Sequence, residues 1–341
     1  MRDYRAPRWL VGPHAQTIWS AVAAPRPRVA YRRERWPTPD GDFVEVDFAG
    51  GQVAGAPLVV LFHGLEGSSA SHYALAAMAA VAARGWRGAV VHFRGCGGEP
   101  NLAPRAYHSG DSQEIDWVLR RMRADVAAGA AMFALGVSLG GNALLKWLGE
   151  RGNEACFVTA AAAVSAPHDL QAGARALSQG LSRVYTANFM RSLKRKSLVK
   201  LQQYPGLFDR ERMLASRTFF DFDDAVTAPM HGFSSCFDYW ARSSCGPFLR
   251  SIEVPALVLN ARNDPFQPQA ALTAPAHVSR FVRLEYPAEG GHVGFIADPF
   301  PGRLSWLPER LVEFFASHLA GEAANAGSRD AAPTPGDFGR G

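Results

Sequence analysis

The sequence is poor in cysteine and has no long apolar run, and each deficit excludes a class of protein. Only four of the 341 residues are cysteines, and Cys96, Cys156, Cys236 and Cys245 form no Cys-x-x-Cys pair. Thiols spaced in this way predict neither a metal site nor a disulfide framework. The absence of any stretch of about eighteen apolar residues argues against a transmembrane helix. The first twenty residues carry charges where a signal peptide is apolar, so we expect a cytoplasmic protein.

A large excess of charge of one sign is also missing. The net charge is +5 and the isoelectric point is near 9.2, a modest excess for this length, so nucleic-acid binding is not expected. The basic residues are concentrated in one run at roughly helical spacing. This run predicts a helix with a charged outer face, and peripheral contact with a membrane or a phosphate stays open as the alternative. Its members are Arg191, Lys194, Arg195, Lys196 and Lys200.

Hydrophobic residues make up 48% of the chain, which is enough for a large core. Asp40-Gly41-Asp42 is a hairpin-turn signal within an alternating segment from about 28 to 48, which predicts an antiparallel edge. Beyond it, short apolar runs alternate with helical patterns, as expected for one mostly parallel sheet with helices on both faces. The predicted strands are 58–62, 88–93, 131–135, 157–164, 256–260 and 280–286. The predicted helices are 73–84, 111–123, one after residue 138, one from residue 269 and one near 304–318.

Between about residues 167 and 251 the alternation stops and helical patterns without a clear strand take over. We interpret this segment as a helical cap inserted at the carboxyl edge of the sheet, where ligands bind in such folds. The cap's aromatic residues could form an acyl-chain pocket, although cap packing predicts most of them equally well. These residues are Phe189, Phe208, Phe219, Phe220, Phe233 and Trp240. We expect one domain over residues 1–320 and a disordered tail over 321–341.

The most informative motif is Gly136-Val137-Ser138-Leu139-Gly140, a Gly-x-Ser-x-Gly pentapeptide between a strand pattern and a helix pattern. A nucleophilic serine needs a sharp strand-to-helix turn, and the small residues Gly136 and Gly140 let the backbone pass close to it. A glycine-rich turn that happens to contain a serine is the plain alternative. We interpret Ser138 as a candidate nucleophile in a nucleophile elbow.

A serine hydroxyl needs a base that takes its proton and an acid that orients the base. Asp264 directly follows the predicted strand 256–260, and His292 lies in a glycine-rich loop after the strand that ends near residue 286. Each could instead be structural, as an Asn-Asp-Pro turn and a loop histidine. However, serine, acid and histidine occur in the chain order typical of this type of site, each at a strand end. We therefore predict a catalytic triad of Ser138, Asp264 and His292.

An oxyanion hole should accompany the triad. Its predicted donors are the backbone N–H of Leu139, next to the nucleophile, and that of Leu65, in the turn after the strand 58–62. We assign His63 to shaping that turn, because His292 fills the position of the base better. The glycines around Cys96 lack the spacing of a dinucleotide-binding loop, so no cofactor is expected, and a nucleophilic role for Cys96 is remote.

With these residues in place, the sequence resembles the α/β-hydrolase superfamily and, within it, the YheT-like branch, which includes eukaryotic abhydrolase-domain proteins of the first and third types. The resemblance extends from near residue 10 to about 318. It implies a serine carboxylesterase or lipase-like activity with the triad at the positions already argued. The matching motifs are Pro13-His14-Ala15-Gln16-Thr17, Phe93 to Asn101, Tyr107 to Asp111, Phe222-Asp223-Asp224, Thr227-Ala228-Pro229, His231-Gly232-Phe233, Asp238-Tyr239, Asp264-Pro265-Phe266 and Gly291 to Phe295.

The expected reaction is hydrolysis of short- to medium-chain acyl esters, or of a lipid, through an acyl-enzyme intermediate. An acyltransferase with the same triad, a lysophospholipase and an acylglycerol lipase stay open as alternatives. A noncatalytic binding module is disfavoured, because a complete triad has no structural purpose in such a protein.

Overall fold

The computed structural model describes residues 4–51, 53 and 55–329, with side chains up to residue 319. Its centre is an eight-stranded sheet in the order β1-β2-β4-β3-β5-β6-β7-β8. The first two strands form the predicted hairpin, and β2 pairs antiparallel with β4. All remaining pairs are parallel. The strands are β1 Arg32–Pro37, β2 Phe43–Gly50, β3 Leu58–Phe62, β4 Arg87–His92, β5 Met132–Val137, β6 Ala160–Val164, β7 Ala256–Leu259 and β8 Val282–Glu285.

Helices cover both faces of the sheet. Helices α3 (Ser112–Ala124) and α4 (Leu139–Arg151) pack on one face, and α2 (His72–Ala83) and α11 (Trp306–Arg329) on the other. Strand side chains alternate between the two faces, so Val60 of β3 belongs to the first core and Val59 to the second. This confirms the predicted mostly parallel α/β fold. No helix in the described part of the chain is both long enough and apolar enough to cross a bilayer.

Three segments differ from the prediction. Helix α1, Pro13–Val22, was not predicted, and it begins at a proline, which suits the first turn of a helix. The helix expected from Gln269 is replaced by two short 3₁₀ turns, because Pro275 interrupts the segment. Helix α11 continues to Arg329, into the segment expected to be disordered, which is rich in the strong helix former alanine. Residues 330–341 of the expected tail lie outside the described residues.

All elements between β6 and β7 are helical, and we call residues 167–251 the cap. Its two small apolar clusters are separate from the two cores of the sheet. A five-residue π-helix, Asp223–Thr227, joins α8 to α9. The cap helices are α5 Leu170–Leu177, α6 Ser182–Gln203, α7 Arg210–Ala215, α8 Phe219–Phe222, α9 Ala228–Met230 and α10 Cys236–Ser243, followed by a 3₁₀ turn at Gly246–Ser251.

Candidate active site

Ser138 lies between the end of β5 and the start of α4, in a backbone conformation with φ of 52°. Positive φ is unfavourable for a residue with a side chain, and such strain is typical of functional turns. The Ser138 amide is held by the carbonyl of Val164 on the neighbouring strand at 2.8 Å. The turn therefore presents the hydroxyl at the carboxyl edge of the sheet.

The two glycines of the pentapeptide are required by close backbone contacts. A Cβ atom on Gly136 would lie 2.6 Å from the carbonyl oxygen of Gly140, and one on Gly140 would lie 2.4 Å from that of Phe62. Both distances are shorter than real carbon contacts allow, and the obstructing atoms belong to backbone. The space for a tight strand-to-helix turn is therefore available only to glycine at these two positions.

His292 lies between Ser138 and Asp264, in contact with both. Its Nε2 is 3.0 Å from the Ser138 Oγ, and its Nδ1 is 2.8 Å from the Asp264 Oδ2. The structure thus brings together three side chains that are far apart in the sequence. This arrangement can move a proton from the hydroxyl to the imidazole while the carboxylate holds the ring in the required tautomer.

The Asp264 carboxylate is completely buried. It follows β7 and receives a hydrogen bond at its second oxygen from the amide of Phe266, at 2.8 Å. The Phe266 ring stacks on the imidazole of His292, with ring centroids 4.1 Å apart. A buried acid with a hydrogen bond at each oxygen, together with the stacked ring, limits the movement of His292.

Helix α1 supports the loop that carries His292, a contribution that the motif search did not reveal. The Thr17 hydroxyl accepts the His292 amide at 2.9 Å, and the Gln16 side-chain oxygen accepts the Gly290 amide at 3.0 Å. Asn263, next to the acid, accepts the Gly291 amide and donates to Gln16. Gln16 and Thr17 belong to one of the motifs that carry the family resemblance. The sequence therefore marked these residues, but it did not indicate what they do.

In the turn after β3, one backbone amide has no hydrogen-bond acceptor among the described residues. The Gly64 and Glu66 amides donate to the hydroxyls of Tyr73 and Tyr107, both within 3.0 Å. Within the described residues the intervening amide of Leu65 donates to no protein acceptor. Leu139 is the first residue of α4, so its amide has no acceptor in its own helix. Leu65, Leu139 and Ser138 line the same cleft.

His63 has the shaping role predicted for it. The ring is fully buried, and burial lowers its pKa to about 3. Its Nδ1 donates to the Gly64 carbonyl, and its Nε2 accepts the Phe93 amide. Both nitrogens are thus occupied by backbone, and the ring ties β3 to β4. Cys96 is also a poor nucleophile, because burial raises the pKa of its thiol to about 11.

The basic run on α6 corrects one prediction. Lys196 and Lys200 point towards the sheet, not to the outer face. The Lys196 amine contacts the Glu66 carboxylate at 2.7 Å, and the Lys200 amine donates to the carbonyls of Asn101 and Ala103. A long apolar stem lets a lysine reach across an interface while its charge finds partners. Periodicity alone cannot reveal such partners, because they lie on another element.

Two cavities meet beside Ser138. The outer cleft, of about 610 Å³, opens between α1 and the cap and contains Ser138 and His292. The inner cavity, of about 360 Å³, lies between the cap and the loop after β4. Of the six cap aromatics considered above, Phe189, Phe219 and Trp240 line the outer cleft. The other three pack within the cap clusters, namely Phe208, Phe220 and Phe233.

Comparison with known proteins gives the family. A family model described as the alpha/beta hydrolase fold matches residues 57–299, well over half of the chain. The chain is 36% identical to YheT of Escherichia coli (strain K12), over 90% of this chain and 91% of that one, and the name of that relative places it among the esterases. It is 27% identical to a Mus musculus protein named phospholipase ABHD3, over 90% and 76% of the two chains.

Solved structures show the same fold at lower sequence identity. The Pyrococcus furiosus esterase Pf2001 has a TM-score of 0.54 and 18% identity, over 92% of this chain and 99% of that one. Est1E from Butyrivibrio proteoclasticus has a TM-score of 0.53 and 16% identity, over 85% and 99%. By its match to the family model and its identity to YheT, the chain is an enzyme of the α/β-hydrolase family and belongs to the YheT-like esterase branch.

Proposed function

We propose that this protein is a serine carboxylic-ester hydrolase in which Ser138 is the nucleophile. The contacts of His292 with the Ser138 hydroxyl at 3.0 Å and with the Asp264 carboxylate at 2.8 Å carry the proposal. His292 takes the hydroxyl proton as Ser138 attacks the ester carbonyl, and Asp264 stabilises the imidazolium that forms. His292 then protonates the leaving alcohol, and the same imidazole activates the water that releases the acid.

Leu65 and Leu139 supply the oxyanion hole in this proposal. Both residues line the cleft beside Ser138, and no protein acceptor within the described residues takes the Leu65 amide. Preorganised donors of this kind lower the barrier because they meet the negative charge that develops on the carbonyl oxygen. Replacing one donor in such a site costs about 3–4 kcal/mol of transition-state stabilisation.

The test is a Ser138→Ala variant assayed with p-nitrophenyl butyrate and a fluorophosphonate probe. We expect a loss of roughly 10⁶-fold in kcat and no labelling, since loss of the nucleophile removes the covalent pathway. Ser192→Ala is the matched control, because this serine lies on α6 and its hydroxyl donates only to the Phe189 carbonyl. Full turnover by Ser138→Ala, or labelling equal to wild type, would refute the assignment.

A lipid ester is the second candidate substrate, and an exposed apolar rim favours it. Val22 on α1 and Val184 on α6 are 73% and 66% exposed, and both line the mouth of the outer cleft. Ile18 and Leu181 extend the two sides of this rim. Between Tyr4 and Arg33 the sequence contains no acidic residue, and none occurs in α6. Exposed apolar residues on segments that carry cations and no acidic residue suit the surface of an anionic lipid aggregate.

Vesicle binding tests this candidate. We expect the protein to sediment with vesicles that contain phosphatidylglycerol more than with pure phosphatidylcholine vesicles, because the segments that carry the rim have cations and no acidic residue. A Val22→Ser and Val184→Ser double variant should lose this binding and keep its rate on soluble esters. Equal, negligible binding to both vesicle types would limit the substrate to soluble esters.

An acyltransferase would use the same triad with an alcohol or amine in place of water. Product analysis in the presence of competing acceptors separates the two reactions. For a hydrolase we expect free acid as the main product at every acceptor concentration, whereas dominant transfer product would reassign the enzyme.

A further inference from the structure

The inner cavity communicates with the outer cleft at the oxyanion side of Ser138. Six residues line both spaces, and two of them, Leu65 and Leu139, carry the amides proposed for the oxyanion hole. Phe219 and Asp223 form the cap side of this junction. The others are Glu66 and Ser109. A carbonyl bound to the two amides would therefore lie where the two spaces join.

His292 lines only the outer cleft. Because this histidine must protonate the leaving alcohol, the alkoxy oxygen of the substrate must lie on its side of the tetrahedral carbon. The acyl carbon occupies the remaining position, away from His292. We propose, on the basis of the function proposed above, that the inner cavity holds the acyl chain and that the outer cleft holds the alcohol.

The walls of the inner cavity suit an acyl chain. Its cap side contains polar residues and, among them, apolar side chains of α6, α8, the π-helix and α9. The volume of about 360 Å³ lies at the small end of the range for ligand sites, which is about 300–1,000 Å³. This small volume favours an acyl chain of limited length. The apolar residues of this wall are Leu193, Val199, Phe222, Val226 and Met230.

Three of the four lysine and arginine side chains that line the inner cavity, all except the exposed Arg195, are already paired, which disfavours an anionic ligand. Arg94 is bound by Asp40, Asp42 and Glu114. The Lys196 amine contacts Glu66, and the Lys200 amine donates to backbone carbonyls. These polar groups therefore need no ligand, and the apolar surface of the wall is what a substrate can bury.

Acyl-enzyme chemistry fixes the order in which the products leave, and the two spaces assign the alcohol and the acyl chain to separate sites. A bond forms between the Ser138 oxygen and the acyl carbon, the carbon–alkoxy bond breaks, and the alcohol leaves through the outer cleft with the proton from His292. Water then enters the vacated cleft, gives a proton to His292 and adds to the acyl carbon. The serine oxygen leaves with that proton, and the acid is released.

The test replaces Met230, on the cap wall of the inner cavity, with larger and smaller residues. The kcat/KM ratio of p-nitrophenyl octanoate to p-nitrophenyl acetate measures the acyl side, and that of octyl acetate to methyl acetate measures the alcohol side. Met230→Trp should lower the acyl ratio roughly tenfold or more and leave the alcohol ratio unchanged, because a filled pocket rejects added methylenes. Met230→Ala should raise the acyl ratio.

Leu177→Trp is the matched control, because Leu177 lines the outer cleft and not the inner cavity. It should lower the alcohol ratio and leave the acyl ratio unchanged. Thermal unfolding and fluorophosphonate labelling report whether each variant folds with a reactive serine. The inference is overturned if Met230→Trp lowers the alcohol ratio instead, or if neither Met230 variant moves the acyl ratio. Failure of the proposed function is distinct, because Ser138→Ala would then retain the wild-type rates.

Discussion

The sheet domain and the cap differ in how their residues are held. Apolar layers on both faces of the sheet bury large side chains completely, among them Phe62 and Trp147 on one face and Phe133 and Phe315 on the other. The cap has only two small clusters of its own. Side chains in a closely packed interior resist displacement. The sheet domain is therefore suited to hold reacting groups in place.

Polar contacts attach the cap to the sheet domain. The Tyr239 hydroxyl accepts the Ser109 amide, and Lys196 and Lys200 reach across from α6. Every hydrogen bond of the proposed triad residues within the described part of the chain, by contrast, is made by the sheet domain and α1. From this comparison we expect the sheet domain to determine the rate of the chemistry and the cap to determine which ester is accepted. Four substitutions test this division, from the largest expected effect to the smallest.

Asp264→Asn should have the largest effect. The asparagine keeps the shape of the side chain but favours the wrong tautomer of His292, and we expect kcat to fall about 10⁴-fold, as in other triads. Steady-state kinetics with p-nitrophenyl acetate measures the loss. Asp224→Asn is the control in the cap, where the carboxylate contacts the exposed Arg212, and its rate should stay near wild type. Comparable losses of kcat in the two variants would contradict the division of roles between the sheet domain and the cap.

Thr17→Val should lower kcat by about tenfold, because the His292 amide loses its acceptor and the loop can shift. Thr17→Ser retains a hydroxyl and should restore most of the rate. The pH profile of kcat/KM, which reports the essential base of the free enzyme, should move in the valine variant and return in the serine variant. Equal rates in the two variants would show that the hydroxyl does not position His292.

Lys196→Met removes the contact between the cap and the oxyanion turn. Glu66 would then keep only the Tyr107 hydroxyl as a side-chain partner, and we expect a loss of about 1–3 kcal/mol in unfolding free energy. Because Glu66 follows Leu65, kcat/KM should also fall several-fold. Lys194→Met is the matched control, since its amine donates to the Leu214 carbonyl within the cap. A larger effect of Lys194→Met on kcat/KM would contradict the comparison.

Asp223→Asn should change mainly how stability depends on pH. Burial raises the pKa of Asp223 to about 6, from 3.8. As the pH rises from about 3.8 to about 6, this carboxyl group loses its proton first in the unfolded chain. The free energy of unfolding therefore falls over this range and stays lower above about pH 6. The asparagine variant does not titrate. We therefore expect its stability relative to wild type to be greater at pH 7.5 than at pH 4, as measured by urea unfolding.

Asp47→Asn is the control in the sheet domain. Burial also raises the pKa of Asp47, but hydrogen bonds from Arg33, His92 and Ser69 outweigh it and bring the pKa well below its ordinary value. This carboxylate stabilises the fold above the ordinary pKa, and the contribution is lost only below it. The stability difference between Asp47→Asn and wild type should be flat from about pH 5 to 7.5. If this difference changed with pH as steeply as that of Asp223→Asn, the expected contrast between the cap and the sheet domain would be wrong.

Local patterns predicted most of the sheet domain. Buried strands such as β3 and β5 are continuous apolar runs, and parallel sheets bury both faces of their strands. Ser138, Asp264 and His292 each follow a strand. Because the carboxyl ends of parallel strands share one edge of the sheet, this order allowed the triad to be predicted. Helix α1 was not predicted. It precedes the first strand, so the alternation of strands and helices gave no indication of it.

The sequence by itself determined the fold and which residues could carry the chemistry, because periodicity, turn residues and the glycines of the elbow act over a few neighbouring positions. Tertiary structure decided the rest: that Gln16 and Thr17 hold the loop of His292, that Lys196 and Lys200 face the sheet, and that two cavities meet beside Ser138. These features depend on contacts between residues far apart in the chain, and no local pattern specifies which partner a side chain meets.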